Sequence, residues 1–380
     1  MRDVDVDHKT VRVRVDFNVP MHDGAVADDT RMRAALPTIT YLREHQARVV
    51  LLSHLGRPDG KPNPKYSLRP VAHRLSELLG EPVGFAEDCI GPAAHSASGD
   101  VVLLENVRFH AEEEENDPAF AQQLAEPGEL FVNDAFGTAH RAHASTEGIA
   151  HLLPAVAGLL MEKEITFLGT ALEDPKRPFV AIVGGAKVSS KLGVLNNLIE
   201  RVDRLLIGGG MANTFLRAQG REVGKSLLEA DLVPTAADLL QRGTKIMLPA
   251  DVVVTTDLNG SAPPRTTTVD IVQPDEMIVD IGPQAIEAFR ADIKGAATVL
   301  WNGPMGVFED PRFAAGTLAI AHAMAESKAT TIVGGGESVQ AVEQAGVPDQ
   351  LSHVSTGGGA SLEFIEGKVL PGVAALRHDC

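Results

Sequence analysis

Short apolar runs rich in Val, Ile and Leu alternate along the chain with longer segments whose apolar positions recur every three or four residues. The runs read as strands buried on both faces and the longer segments as amphipathic helices, so the pattern predicts parallel sheets covered by helices. Strands are expected at 11–16, 49–52, 101–104 and 130–132 in the first half, and at 179–183, 205–207, 252–254, 298–300 and 331–333 in the second. Helices are expected at 29–45, 68–79, 159–172, 189–201, 228–241, 283–291 and 313–327. In open α/β sheets ligands collect beyond the carboxyl ends of the strands, so the residues that follow each run are the first candidates for chemistry.

At 380 residues the chain exceeds the size at which one core stops growing, and 44% hydrophobic residues are ample for two. A boundary is expected where the helix at 159–172 gives way to Glu173-Asp174-Pro175-Lys176-Arg177-Pro178. The expected division is a first domain at 1–155, a linking helix and linker at 156–176, a second domain at 177–355 and a last segment at 356–380. A formal charge of −17 without a contiguous Lys/Arg patch argues against nucleic acid or an anionic membrane as partner. Cys89 and Cys380 have no motif spacing and no metal-ligand company along the sequence, which predicts neither a disulfide framework nor a zinc site and suits a reducing cytoplasm. The charged N-terminus lacks a signal-peptide core, and the most apolar stretch, 149–161, is broken by His151 and Pro154 and too short to span a bilayer. Glu112–Glu115 reads as a solvated face and 58–70 as a surface loop.

The second half repeats a glycine punctuation: Gly184-Gly185-Ala186-Lys187, Gly208-Gly209-Gly210, Asn302-Gly303-Pro304, Gly334-Gly335-Gly336 and Gly357-Gly358-Gly359. Where a buried strand feeds a glycine turn and a helix follows, unpaired N–H groups and the helix dipole can hold phosphate oxygens together. Lys187 and Lys191, four apart, are expected on one helical face a turn apart. Taken singly, each cluster could equally permit a close helix–strand approach. Their recurrence after strand ends favours bare backbone offered to a nucleotide. No cluster completes a dinucleotide fingerprint, and Gly220 to Ser226 is one residue short of a P-loop, so that segment reads as a surface turn.

The first half places Asp16, Asn18, Arg31, His54, Arg57, Arg108 and Arg141 at or just beyond the ends of apolar runs. Arginine presents a rigid fork matched to phosphate or carboxylate, so several of them beyond adjacent strand ends suggest a small polyanionic substrate. Asp29 and Thr30 are expected to cap the helix that begins near Arg31. Any single arginine could instead be a surface ion pair. His140 and His143 lack further spaced ligands and read as anion contacts. Together the halves describe a two-lobed phosphotransferase.

Motifs in a fixed order carry the reading further. Val15-Asp16-Phe17-Asn18-Val19-Pro20, Ser53–Pro58, Leu104–Phe109, Asn133–His143, Gly184–Lys191, Gly208–Met211, Trp301–Glu309, Gly334–Gly336 and Ser355–Ser361 run essentially from end to end. In that order the chain resembles the phosphoglycerate kinase family. The resemblance implies reversible phosphoryl transfer between 1,3-bisphosphoglycerate and ADP, giving 3-phosphoglycerate and ATP, in two doubly wound parallel-sheet lobes joined by a hinge helix. It also implies a cytoplasmic monomer whose last segment, including 362–376, returns to the first lobe.

Carried over by position, the resemblance makes Asp16, Phe17 and Asn18 glycerate contacts with Arg31 near the carboxyl end, and gives His54, Leu55, Gly56, Arg57, Arg108 and Arg141 to the 3-phosphate site. Lys187 and Lys191 meet the nucleotide and the migrating group, Gly185, Gly209, Gly303, Pro304 and Glu309 border adenosine, and Asn302 lies beside the phosphates. Gly334, Gly335, Gly336 and Ser338 approach those phosphates, and Gly358 lies in a segment opening a helix toward the transferred group. Glu337 stands where the family usually has Asp to help hold Mg²⁺; its extra methylene predicts retained activity with weaker metal binding. A nicotinamide dehydrogenase would need the missing fingerprint, another small-molecule kinase has no reason to reproduce the arginine series, and a nucleotide-binding scaffold would bind without turnover.

Overall fold

The structure, a computed structural model, describes residues 1–242, 245–260 and 263–376. Cys380 and the end of the segment 356–380 lie outside the described residues. The chain divides into two compact units, one formed by Met1–Thr166 with the segment from Val369, the other by Phe167–Lys368.

In the first unit, β1 (Thr10–Arg14), β2 (Arg48–Leu52), β3 (Gly84–Ala86), β4 (Val101–Leu104), β5 (Leu130–Asn133) and β6 (Ala155–Ala157) form one sheet in the order β3-β4-β2-β1-β5-β6. Every pairing in it is parallel. The two-residue period of the strands builds two cores. Val11, Val13, Val49, Leu51, Val101 and Leu103 pack on one side with Met32, Ile39 and Leu42 of α1 (Thr30–Glu44) and Val71 and Leu75 of α2 (Arg69–Leu79). Val50, Leu52, Val102, Leu104 and Phe131 face the other side, with Ala94 of α3 (Gly91–Ser96) and Phe120 and Leu124 of α4 (Pro118–Ala125). Each fully buried aliphatic side chain contributes roughly 1.5–3 kcal/mol, which is why the strand interiors are apolar apart from Arg12 and Arg14 of β1.

α5 (Leu159–Glu173) starts where Asp134, one residue past β5, takes the free N–H groups of its first turn. Asp134 Oδ1 accepts from Leu160 N at 2.9 Å and Met161 N at 3.2 Å. Burial pushes that carboxyl up to about 6 against these hydrogen bonds. A Cβ on Gly158 would lie 2.1 Å from the same oxygen, so only glycine fits there. Asn133 Nδ2 donates to Gly372 O at 3.2 Å, and Gly372 N to Ala139 O at 2.9 Å, which ties the returning segment to the loop after β5.

The second unit begins with β7 (Phe179–Val183), α6 (Leu192–Ile199), β8 (Arg204–Ile207), α7 (Met211–Ala218), α8 (Val233–Gln241) and β9 (Ile246–Met247). An antiparallel insertion follows: β10 (Asp251–Thr255), β11 (Arg265–Thr268) and β12 (Met277–Ile281), in the order β11-β10-β12. The chain then returns through α9 (Pro283–Gly295), β13 (Thr298–Asn302), α10 (Ala315–Glu326), β14 (Thr330–Val333), α11 (Gly336–Gln344), β15 (His353–Val354) and α12 (Gly359–Ile365). The parallel sheet runs β9-β8-β7-β13-β14-β15. A short α13 (Pro371–Ala374) belongs to the first unit. The two six-stranded parallel sheets are the expected doubly wound architecture.

Four local expectations are corrected. The run at 252–254 belongs to the antiparallel insertion rather than the main sheet, because a short apolar run does not report the direction of its partners. The helix expected at 189–201 starts only at Leu192, so Lys187 and Lys191 do not share a helical face; Ser189 is instead held in a turn by the carboxylate of Glu229. Asp29 makes no side-chain cap, since Arg33 and Arg74 claim its oxygens at 2.8 and 2.6 Å; Asp28 accepts from Thr30 N instead. Within the acidic run at 112–115, Glu113 is fully buried, its oxygens accepting from Ser145 N and Oγ at 2.8 and 2.6 Å.

Candidate functional site

Strand order reverses between β1 and β5 in the first unit, which opens a crevice at their carboxyl ends. Asp16, Phe17 and Asn18 leave β1 there and are fixed from several sides. Arg31 Nη1 donates to Asp16 Oδ2 at 3.1 Å and to Asn18 O at 3.2 Å. Phe17 N donates to Ser53 Oγ at 2.9 Å, and Gly56 N to Asn18 Oδ1 at 2.9 Å. The loop after β2 is thereby locked to the loop after β1, with Leu55 buried beneath it. Arg108 Nη1 donates to Gly56 O at 2.9 Å and its Nε lies 3.2 Å from Glu114, so the turn after β4 joins the same cluster.

The electrostatics converge on His54, which is 4% exposed. Burial first, then the charges of Arg14, Arg108, Arg141 and Arg31, hold its imidazole well below the usual range. His143 is driven down to about 4 by burial and by Arg108, Arg14 and Arg141. Burial, with Arg14 and Arg141, brings Arg108 down to about 10 although Glu114 opposes the shift. Clustered, mutually repelling guanidinium groups describe a place that an anion would neutralise. Arg57, at the loop tip, is exposed.

Arg14 is the residue that sequence reasoning missed. It is 1% exposed at the end of β1, donates from Nε to Ser145 Oγ at 2.7 Å, and lies 3.3 Å from His54 through Nη2. Its signal was weak: Val11-Arg12-Val13-Arg14-Val15 reads as an alternating strand with one wet face, and only the pairing of β1 with β2 and β5 on its two sides shows Arg14 to be internal.

In the second unit the order reverses between β7 and β13, and the glycine loops meet there. Gly184 N donates to Asn302 O and Gly185 N to Pro304 O, both at 2.9 Å, while Gly209 N donates to Met305 O at 2.9 Å. A Cβ on Gly303, whose φ is +96°, would stand 2.2 Å from Gly184 O. These glycines therefore serve close packing and leave a cavity of about 290 Å³ whose wall includes Gly185, Ala186, Gly209, Gly210, Pro304, Glu309 and Glu337. Apolar side chains from the antiparallel insertion, Val252, Ile278 and Val279, close its far side, so the unforeseen sheet is part of the site.

Lys191 Nζ donates to Asn302 Oδ1, and Asn302 Nδ2 to Gly334 O at 2.8 Å. Burial lowers the Lys191 ammonium from its ordinary value, with Glu337 and Glu366 acting in the opposite direction. Lys187 is exposed on the same glycine turn. Ser338 is fully buried, and its Oγ accepts from Gly303 N at 2.6 Å, which holds the β13 loop against α11. Gly335, at φ +92°, and Gly336 lead into α11, and Glu337 is exposed in its first turn. Gly358, at φ +49°, precedes α12.

The model of the family described as "Phosphoglycerate kinase" matches residues 1–368. The chain belongs to the phosphoglycerate kinase family. Its curated relatives include the phosphoglycerate kinase of Chloroflexus aurantiacus, 60% identical over 392 aligned positions covering 99% of this chain and 98% of the relative. That of Moorella thermoacetica is 57% identical over 387 positions, covering 100% and 98%. Among solved structures, the phosphoglycerate kinase from Coxiella burnetii superposes with a TM-score of 0.92 at 43% identity, covering 99% of this chain and 98% of that one. The enzyme from Pyrococcus horikoshii OT3 gives a TM-score of 0.86 at 37% identity over the same shares. The family's activity, that of a phosphotransferase using a nucleotide, is the activity of this chain.

Proposed function

We propose that the chain transfers a phosphoryl group reversibly between 1,3-bisphosphoglycerate and ADP, with the acid held by the first unit and the nucleotide by the second. The convergence of Arg14, Arg31, Arg108 and Arg141 on the buried His54 carries this reading. A phosphate of two negative charges relieves the repulsion among those groups and is gripped by forked donors. Asp16, Phe17, Asn18 and the Leu55-Gly56-Arg57 loop position the glycerate beside it, and Arg31 faces the reacting carboxyl group.

The attacking carboxylate is ionised at neutral pH, so no base is required. Catalysis rests on alignment and on charge placed around the moving group. Lys187 and Lys191 neutralise phosphate oxygens, Asn302 keeps Lys191 in place, and the Gly334–Gly336 and Gly357–Gly359 backbone offers N–H groups. Gly185, Gly209, Gly303 and Pro304 border the adenosine, with Glu309 at its edge.

Mg²⁺ suits this chemistry, since one exposed carboxylate at the start of α11 beside the proposed phosphate position matches a cation that keeps most of its waters. Glu337 would hold it, and when bound the ion screens charge between the nucleotide phosphates. In-line transfer requires the two substrates to meet with water excluded from the acyl phosphate, and α5 and the 355–359 segment are the proposed hinges. The reading includes a cytoplasmic monomer with neither nucleic acid nor membrane as partner. A coupled assay of ATP formation from 1,3-bisphosphoglycerate, with and without Mg²⁺ and beside an ADP titration, tests it: binding without turnover would leave only a nucleotide-binding scaffold.

A further inference from the structure

Cys89 has no metal-ligand company in the sequence, yet the fold supplies it. The residue follows β3 and is 1% exposed. His110, far along the chain, returns at the end of the turn Val107–Phe109, and one ligand atom each from Asp88, Cys89 and His110 lie within 4.8 Å of one another. Asp88 Oδ1 accepts from Cys89 N at 2.7 Å and lies 2.8 Å from His110 Nε2. The His110 ring is packed against Phe120, its centroid 5.1 Å away. Asp88 and His110 also stand in the wall of a cavity of about 340 Å³, with Asn63, Glu87 and Glu105.

We propose that Cys89, Asp88 and His110 form a site for a borderline-soft divalent cation, zinc foremost, with a fourth position open to this cavity. Thiolate, imidazole and carboxylate are the donor set that zinc accepts. Magnesium, needed elsewhere in the chain, prefers oxygen and waters. A tetrahedral zinc holds its ligand atoms roughly 3.5 Å apart, so Asp88 Oδ1 and His110 Nε2, 2.8 Å apart, open slightly while the thiol draws in from within 4.8 Å. The Asp88–His110 pair accounts for two of the residues; the thiol packs in the core with Ala86, Ala94 and Phe120 and still lies within reach of both.

The step balances simply. The cation displaces the thiol proton, which leaves to solvent, while His110 exchanges its Nε2 proton for one at Nδ1 and frees Nε2 to bind. One proton is released per cation. Two positive charges meet one thiolate and one carboxylate, so the cluster stays neutral and the buried thiolate is not left as an isolated charge.

The test uses the full chain, stripped with a chelator and titrated with Co²⁺, whose thiolate complexes absorb in the near ultraviolet. One equivalent is expected to give the charge-transfer band and release about one proton. The band should persist in excess Mg²⁺ and in Cys380→Ser, and disappear in Cys89→Ser and His110→Gln with their circular dichroism unchanged. No band in the native chain, or a band surviving in Cys89→Ser, overturns the proposal. Should Cys89→Ser fail to fold, His110→Gln and Asp88→Asn decide: an undiminished band in both overturns it.

Discussion

Arg14 Nη2 and His54 Nδ1 lie 3.3 Å apart, with both side chains buried. A guanidinium has no acceptor to offer, so Nδ1 must be the acceptor and the imidazole proton sits on Nε2. His54 therefore presents a neutral N–H donor, fixed by its neighbour.

Both states of the chain carry a neutral His54 above about pH 6.5. Below that, the unfolded chain takes up a proton that the folded one refuses, because the His54 value is lowered on folding. Stability is thus expected to fall as the pH drops from 6.5, and His143, lowered to about 4, adds to the same slope. Ring-carbon NMR should show the His54 midpoint well below that of a free imidazole; an ordinary midpoint near 6.5 would contradict the assignment.

Arg31 and Arg108 are expected to separate kinetically. On the proposed assignment Arg31→Ala removes the positive charge nearest the reacting carboxyl, and it should lower kcat by ~10²-fold or more. Arg108→Ala and Arg57→Ala should chiefly raise the KM for the phosphorylated acid. Steady-state kinetics in both substrates checks the split, and near-normal turnover in Arg31→Ala would refute its role.

Arg14→Leu tests a residue whose loss is structural and functional together. Glu113 would keep its buried carboxylate and lose the cation reached through Ser145. The expected cost is ~3 kcal/mol in urea titration, the scale of stranding one member of a buried charge pair. Arg14→Leu with Glu113→Gln should recover part of that stability without restoring affinity for the acid.

Gly303→Ala places a methyl group 2.2 Å from Gly184 O at φ +96°. A loss of ~1–3 kcal/mol is expected from the strained backbone, along with weaker ADP binding because the β7 and β13 loops must part. Calorimetric titration with ADP reads the second effect. Gly295→Ala, where nothing approaches the added carbon, should leave ADP binding unchanged.

Glu337→Asp should bind Mg·ADP more tightly than the native chain if the longer side chain holds the ion less well. Equal or weaker binding in the variant would remove that account of the substitution.

The strand ends were legible because buried parallel strands leave little room for polar residues until the chain reaches solvent. Asp16, His54, Arg108 and Gly184 sit past the ends of such runs, and Asn302 ends one. What escaped depended on partners distant in sequence. Arg14 reads as one polar step in an alternating strand, and only pairing on both sides shows it to be internal. Glu113 looks solvated within an acidic run until Ser145 arrives. The run at 252–254 has no feature that distinguishes an antiparallel insertion from a main-sheet strand. His110 and Cys89 are brought together by the fold alone.

Gly372 is bonded to Asn133 and Ala139, so the first unit borrows a strip of chain made long after the rest of it. During synthesis the second unit, continuous from Phe167 to Lys368, can complete its contacts first, while the earlier-born unit waits on the ribosome for its closing piece. The order of completion is inverted relative to the usual N-terminal-first course, and arrival of the segment from Val369 becomes the event that closes the first unit.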